Sequence, residues 1–244
     1  MMLPRPGARI PLLCVDKILR AWLCLLFTHA FALAVLAAPQ PTPSGLKPPF
    51  AYPPCDPVAS DVIFGHDASD AVSAKLTILF EQDEAREKNA PNAAVSGEAS
   101  RVYWEKVSIE DHRRQAEVMG FLQKGELNSA DDLYHAAMIF QHGNCPEHFK
   151  LANLLAEKAM DRGSDAAKWL YAATLDRYLM SQGKPQKFGT QFVTAGDTGT
   201  WKLYDCDPTT TDEERARYKV PSLAIQKQKL EKLNSPENKG APLK

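Results

Sequence analysis

Three groups of side chains in this sequence have types and spacings suited to chemistry: Gln141-His142, Asp176-Arg177, and the run Gly183-Lys184-Pro185-Gln186-Lys187-Phe188-Gly189-Thr190-Gln191. An imidazole can both take and give a proton near neutrality. A carboxylate beside a guanidinium adds an orienting acceptor and a permanent positive charge. Pro185 stiffens the loop while Gly183 and Gly189 let it turn tightly, so Gln186, Thr190 and Gln191 can hold amide and hydroxyl groups in fixed positions. Two chemistries use such a set. In the first, His142, Asp176, Arg177, Gln186, Thr190 and Gln191, with Gln141 alongside, form the rim of a binding or interaction module and contact a polar ligand or protein partner. In the second, a hydrolase or transferase uses His142 as general base, Asp176 to orient it, and Arg177 with the Gln186 and Gln191 amides to steady negative charge. A third reading is purely structural, because amides also satisfy the open carbonyls of helix ends.

These groups converge only if helices bring them together. Ser129 with Asp132 opens a helix through Leu133, Ala136, Ala137, Ile139 and Phe140, ending at Gln141 and His142. Pro146 and Glu147 start the next, which Gly163 ends. Ser164 and Asp165 start a third, with Trp169, Leu170, Ala172, Ala173 and Leu175 as its apolar stripe and Gly183 as its stop. The first and third align at an offset of 36: Leu133 falls on Trp169, Ala136 on Ala172, Ala137 on Ala173 and Ile139 on Leu175. That offset is close to tetratricopeptide length, and about one and a half repeats are visible, so the expected fold is mainly α, with tetratricopeptide-like hairpins. An ordinary antiparallel bundle shows the same pattern.

Upstream, a helix is expected over 71–88 and another from a Ser108–Asp111 cap, with Ile109 on its inward face and a polar loop before it. Downstream, β-prone runs at 188–194 and 200–206 flank Gly196-Asp197-Thr198-Gly199 as a small β-hairpin. Thr211 with Glu214 caps a short helix, and a last helix spans 222–233.

The blocks AAMIFQHG, LDRY, GKPQKFGTQ and DEERARYKVPSL resemble, in order, the signature blocks of the family known as domain of unknown function 6624, over about residues 102–230. The resemblance implies a common fold and a shared site at Gln141, His142, Asp176, Arg177 and Gly183 through Gln191, and it supplies no activity. Phe188 stands where the family tends to carry Tyr, and the last block lacks the family's glycine before Leu-Pro.

The N-terminus reads as a secretory signal over residues 1–37: Arg5, Arg9, Lys17 and Arg20 precede an apolar stretch from Ala21 to Leu36, with small residues at Ala37 and Ala38. An uncleaved membrane anchor is the alternative, and the only membrane contact expected. The body is therefore expected to be secreted or periplasmic. Residues 38–59 are proline-rich and read as a spacer, 60–235 as one domain, and 236–244 as a disordered tail. The leader takes four of the 29 basic residues and one of the 30 acidic ones, leaving 25 against 29, so the body lacks the basic surface that nucleic acid requires.

Cys55, Cys145 and Cys206 remain outside the leader, an odd number in an oxidising compartment, and Cys145 with Cys206 is the expected disulfide. His142-x-x-Cys145-x-x-His148 has metal-like spacing, but an exported thiol more readily meets another thiol, so no metal and no cofactor are expected. No Gly-x-Ser-x-Gly elbow, His-Glu-x-x-His helix or P-loop occurs.

Overall fold

Capping chemistry sets most of the helix boundaries. The computed structural model describes residues 55, 62–90, 98–195 and 200–235. The chain divides after Ser44, and everything below belongs to the unit Gly45–Lys244. The leader, the spacer apart from Cys55, the Gly196–Gly199 turn and the tail lie outside the described residues. Among those described, the fold is mainly helical, with a two-stranded antiparallel sheet near the C-terminus. The elements are α1 (Asp70–Lys88), α2 (Glu98–Gln123), α3 (Ala130–Gln141), α4 (Pro146–Asp161), α5 (Ala167–Ser181), β1 (Phe192–Ala195), β2 (Thr200–Leu203), α6 (Asp212–Arg217) and α7 (Leu223–Leu233). No helix among them is long and apolar enough to cross a membrane.

Ser129, Thr211 and Ser222 accept the backbone N–H three residues on, opening α3, α6 and α7, and Pro146 opens α4. Gly163 and Gly183 follow helix ends with φ of 95° and 68°, conformations that glycine adopts without strain. Two starts differ from expectation. Helix α2 begins at Glu98, so Ser108 is interior rather than a cap, and Ile109 faces solvent at 64% exposure. Arg101 pairs with Glu98 and Glu105 one turn away on either side, which supports the added turns. Helix α5 begins at Ala167, with no side-chain cap from Ser164 or Asp165.

The main core lies among α1 to α5. Leu76 and Leu79 of α1 and Val118 and Leu122 of α2 meet Leu133, Ile139 and Phe140 of α3, Leu155 of α4 and Leu170 of α5. Buried Ala136, Ala137, Ala152, Ala156, Ala159 and Ala167 let α3, α4 and α5 approach closely, and α4 packs on both neighbours. The 36-residue correspondence persists at the alanine pairs, all of them buried, and fails at its first position: Leu133 is fully buried while Trp169 is 44% exposed. Burial at that pair lends no support to a stacked repeat.

His135 of α3 stacks on Phe80 of α1, ring centroids 4.3 Å apart. Burial pushes its pKa below the usual 6.5, against the pull of Asp131, Asp132 and Glu81. The folded chain therefore holds this proton less readily than the unfolded one. The stabilising contribution is complete above pH 6.5 and is lost as pH falls through the lower folded value. Melting curves between pH 7 and 5 should show a steeper decline for the native chain than for His135→Phe; parallel curves would remove the ring from the account.

The sheet pairs Phe192 with Leu203 and Ala195 with Thr200 at its ends. Asn234, capping the end of α7, accepts the Trp201 N–H at 2.8 Å and donates to the Trp201 carbonyl at 2.9 Å. Upstream of β1, Gln186 forms an isolated bridge with Cys206.

Candidate functional site

His142 closes α3 as its C-cap residue, and Asp83 reaches it from α1: Nδ1 lies 2.6 Å from Asp83 Oδ2. A carboxylate can only accept here, so Nδ1 carries the proton and Nε2 is the nitrogen left for the cleft. Asp83 is fully buried, and its other oxygen lies 3.6 Å from Arg114 Nε. Arg114 pairs in turn with Asp111, which also takes Arg86 Nη1 at 3.0 Å. Burial pushes the Asp111 carboxyl up, against the pull of Arg86 and Arg114. The chain Arg86–Asp111–Arg114–Asp83–His142 thus crosses the α1–α2–α3 interface as one continuous network of ionisable groups.

Arg177 of α5 donates from Nη1 to the Gln141 carbonyl at 2.5 Å and from Nε to Gln191 Oε1 at 3.3 Å. Its guanidinium carbon lies 5.9 Å from the centre of the Phe149 ring. Gln191 is itself fixed, its amide nitrogen donating to the Ala173 carbonyl at 3.1 Å. Together Arg86, His142, Gly143, Phe149, Arg177, Met180, Gln191 and Phe192 line a cleft of about 260 Å³. Helices α1, α4 and α5, strand β1 and the end of α3 all contribute to it.

Three of the expected site residues lie elsewhere. Asp176 does not orient His142; it is fully buried, and its carboxylate accepts the N–H groups of Lys187, Phe188 and Thr190 at 2.7, 2.8 and 2.9 Å and the Thr190 hydroxyl at 2.8 Å. Burial raises its pKa despite these four donors. Gln186, also fully buried, donates to the carbonyls of Gln191 and Tyr204 and accepts the Gln191 N–H, stitching the loop to the sheet. Thr190 is spent on Asp176. Gln141 enters through its backbone carbonyl, its side-chain amide turning to Met138 Sδ at 3.2 Å. The loop thus delivers Gln191 and Phe192 to the cleft, while Gln186 and Thr190 are consumed in holding its shape.

The disulfide also differs: Cys145 bonds Cys55, with Cα atoms 5.5 Å apart, and Cys206 is a free thiol. Cys206 is held in the bridge with Gln186 under Gly189, where a Cβ would come within 3.5 Å of its sulfur. Burial, reinforced by Asp176, pushes its pKa to about 11. The disulfide ties Cys55, inside the segment expected to be spacer, to the start of α4. The His142-x-x-Cys145-x-x-His148 pattern does not assemble as a set, since His142 turns to Asp83. Cys55, Cys145 and His148 do bring their donor atoms within 4.8 Å of one another, but two of the three are joined sulfur to sulfur.

Sequence reasoning missed Asp83, Arg86, Asp111 and Arg114. A signal was present for two of them. Asp83 continues the inward stripe of Leu76, Leu79 and Phe80, and Arg114 precedes Val118 by one turn, so both place a charge on a face that must be buried. No family model, curated protein or solved structure matches the chain.

Proposed function

We propose that the chain is an exported helical binding module whose ligand enters the cleft between α4, α5, β1 and the end of α3, contacting His142, Arg177 and Gln191. Export rests on the leader pattern, and the resemblance to the domain of unknown function 6624 family stands beside it as a proposal of kinship. The observation that carries the reading is convergence: three polar side chains far apart in sequence line one cleft of about 260 Å³, each already held by a hydrogen bond to a neighbouring group. Preorganised groups of this kind lower the cost of binding. Titration with peptides and cell-envelope fragments, read at the His142 imidazole by NMR, should give a saturable shift. Asp83→Asn, which removes the charge behind the ring, should weaken that ligand by about tenfold. If no compound moves His142, the reading fails.

One observation favours a second reading, in which His142 acts as a general base on water. Asp83 stands to its Nδ1 as the orienting carboxylate does in acid–base pairs, the role Asp176 was expected to fill. A panel of ester, phosphoester and glycoside substrates would decide it: turnover that falls about 10²- to 10⁴-fold in His142→Ala supports catalysis, and turnover that survives the substitution excludes it.

A further inference from the structure

The disulfide and the ring beside it offer a donor set of another kind. The sulfurs of Cys55 and Cys145 and a ring nitrogen of His148 lie within 4.8 Å of one another, and among the described residues no other histidine, cysteine or acid joins them. Cys145 is fully buried and stands at the start of α4 as its N-cap residue; His148, in the first turn, is buried too, and Cys55 is half-buried. Phe140 meets the imidazole in an edge contact, ring centroids 5.6 Å apart. Gly143 leaves the ring its room, since a Cβ there would overlap it. Two neighbours thus fix where the imidazole stands.

Thiolate sulfur and imidazole nitrogen are donors that zinc favours. We infer that Cys55 and Cys145, once reduced, form with His148 a zinc site that keeps one coordination position open for water. Charge supports the assignment. Two thiolates cancel the double charge of the ion, so the buried site carries no net charge, and the Cys145 thiolate stands at the positive end of α4. The movement required is short: two sulfurs each about 2.3 Å from a tetrahedral zinc stand about 3.8 Å apart, against about 2.0 Å in a disulfide. A ligating imidazole gives the metal one nitrogen and keeps the other for a hydrogen bond, so binding leaves His148 a nitrogen for its other contacts. In the redox step a dithiol supplies two electrons and two protons and becomes a disulfide, while the Cys55–Cys145 bond breaks to two thiols. Zinc then displaces one proton from each sulfur and accepts the imidazole lone pair, so about two protons leave for each ion bound. The newly made chain holds the same thiols before they pair and needs no reductant. Disulfide and zinc exclude one another, and each ties residue 55 to the start of α4.

The test uses the purified protein opened with a phosphine, which is oxidised as it supplies the electrons and brings no competing thiol; zinc sulfate alone is the probe. The reduced protein should take up a single zinc per chain and recover, with its native circular dichroism, most of the melting temperature lost on reduction. The oxidised protein should take up none. Cobalt in place of zinc should give the reduced protein a thiolate charge-transfer absorption that Cys55→Ser and Cys145→Ser weaken and Cys206→Ala leaves unchanged. His148→Ala should weaken zinc binding on the order of 100-fold. Should that variant not fold, the native chain supplies the same answer: the His148 ring signals should shift with zinc and cease to titrate. The inference is overturned if the reduced protein takes up no zinc, if the oxidised protein binds it equally well, or if zinc binds while the His148 signals stay in place.

Discussion

Asp176→Ala lowers the melting temperature by about 10 °C. Four donors lose their only acceptor shown, all at or near a fully buried position. Each unsatisfied buried group costs about 1–3 kcal/mol, and because neighbours share relaxation the total is nearer 3–5 kcal/mol than the sum. At about 2–4 °C per kcal/mol for a domain of this size, the shift is easily read by circular dichroism. Asp176→Asn separates this account from a generic loss of packing. Its amide nitrogen must stand where an oxygen now accepts, facing the Lys187 and Phe188 N–H groups in one orientation and the Thr190 N–H in the other. Asparagine should therefore rescue little. A melting temperature restored to the native value by asparagine would sink the argument that the carboxylate shapes the loop.

The second large effect lies at the disulfide. Cys55 and Cys145 are separated by 90 residues, and cross-linking a loop of that length restricts the unfolded chain by about 4–5 kcal/mol in the chain-entropy account. The double replacement Cys55→Ala with Cys145→Ala should lower the guanidinium midpoint accordingly, and a reducing agent should do the same to the native protein. Cys206→Ala provides the internal check, because a thiol that bonds no other cysteine should be replaceable at little cost. Destabilisation by Cys206→Ala together with indifference to Cys55→Ala would mean that the pairing expected from sequence is the one that forms.

The helices were legible because their ends are written locally. Ser129, Pro146, Gly163, Gly183, Thr211 and Ser222 all act as their types suggest, since a cap needs only neighbours within one turn. The start of α2 was not, because the pairs that extend it back to Glu98 are weak singly and act jointly. His142, Arg177 and Gln191 were legible as site residues through their unusual grouping. Their division of labour was not, because it depends on contacts across the fold. Asp176 lies one residue from Arg177, yet on a helix adjacent residues face different ways, so one turns to the loop and the other to the cleft. Asp83 stands 59 residues before His142, and only the packing of α1 on α3 makes them partners. The cysteine pairing failed for the same reason. Proline content marked residue 55 as spacer, and composition carries no information about where a spacer is tied.

The Asn234 amide beside Trp201 has a consequence beyond anchoring α7. A two-stranded ribbon leaves outward N–H and C=O groups on its open side, a template on which a strand from another molecule can grow. At Trp201 the amide imitates the next strand, offering one acceptor and one donor in the register a neighbouring backbone would use. A single side chain at the end of a helix thereby occupies the first rung of a ladder that would otherwise invite a stranger.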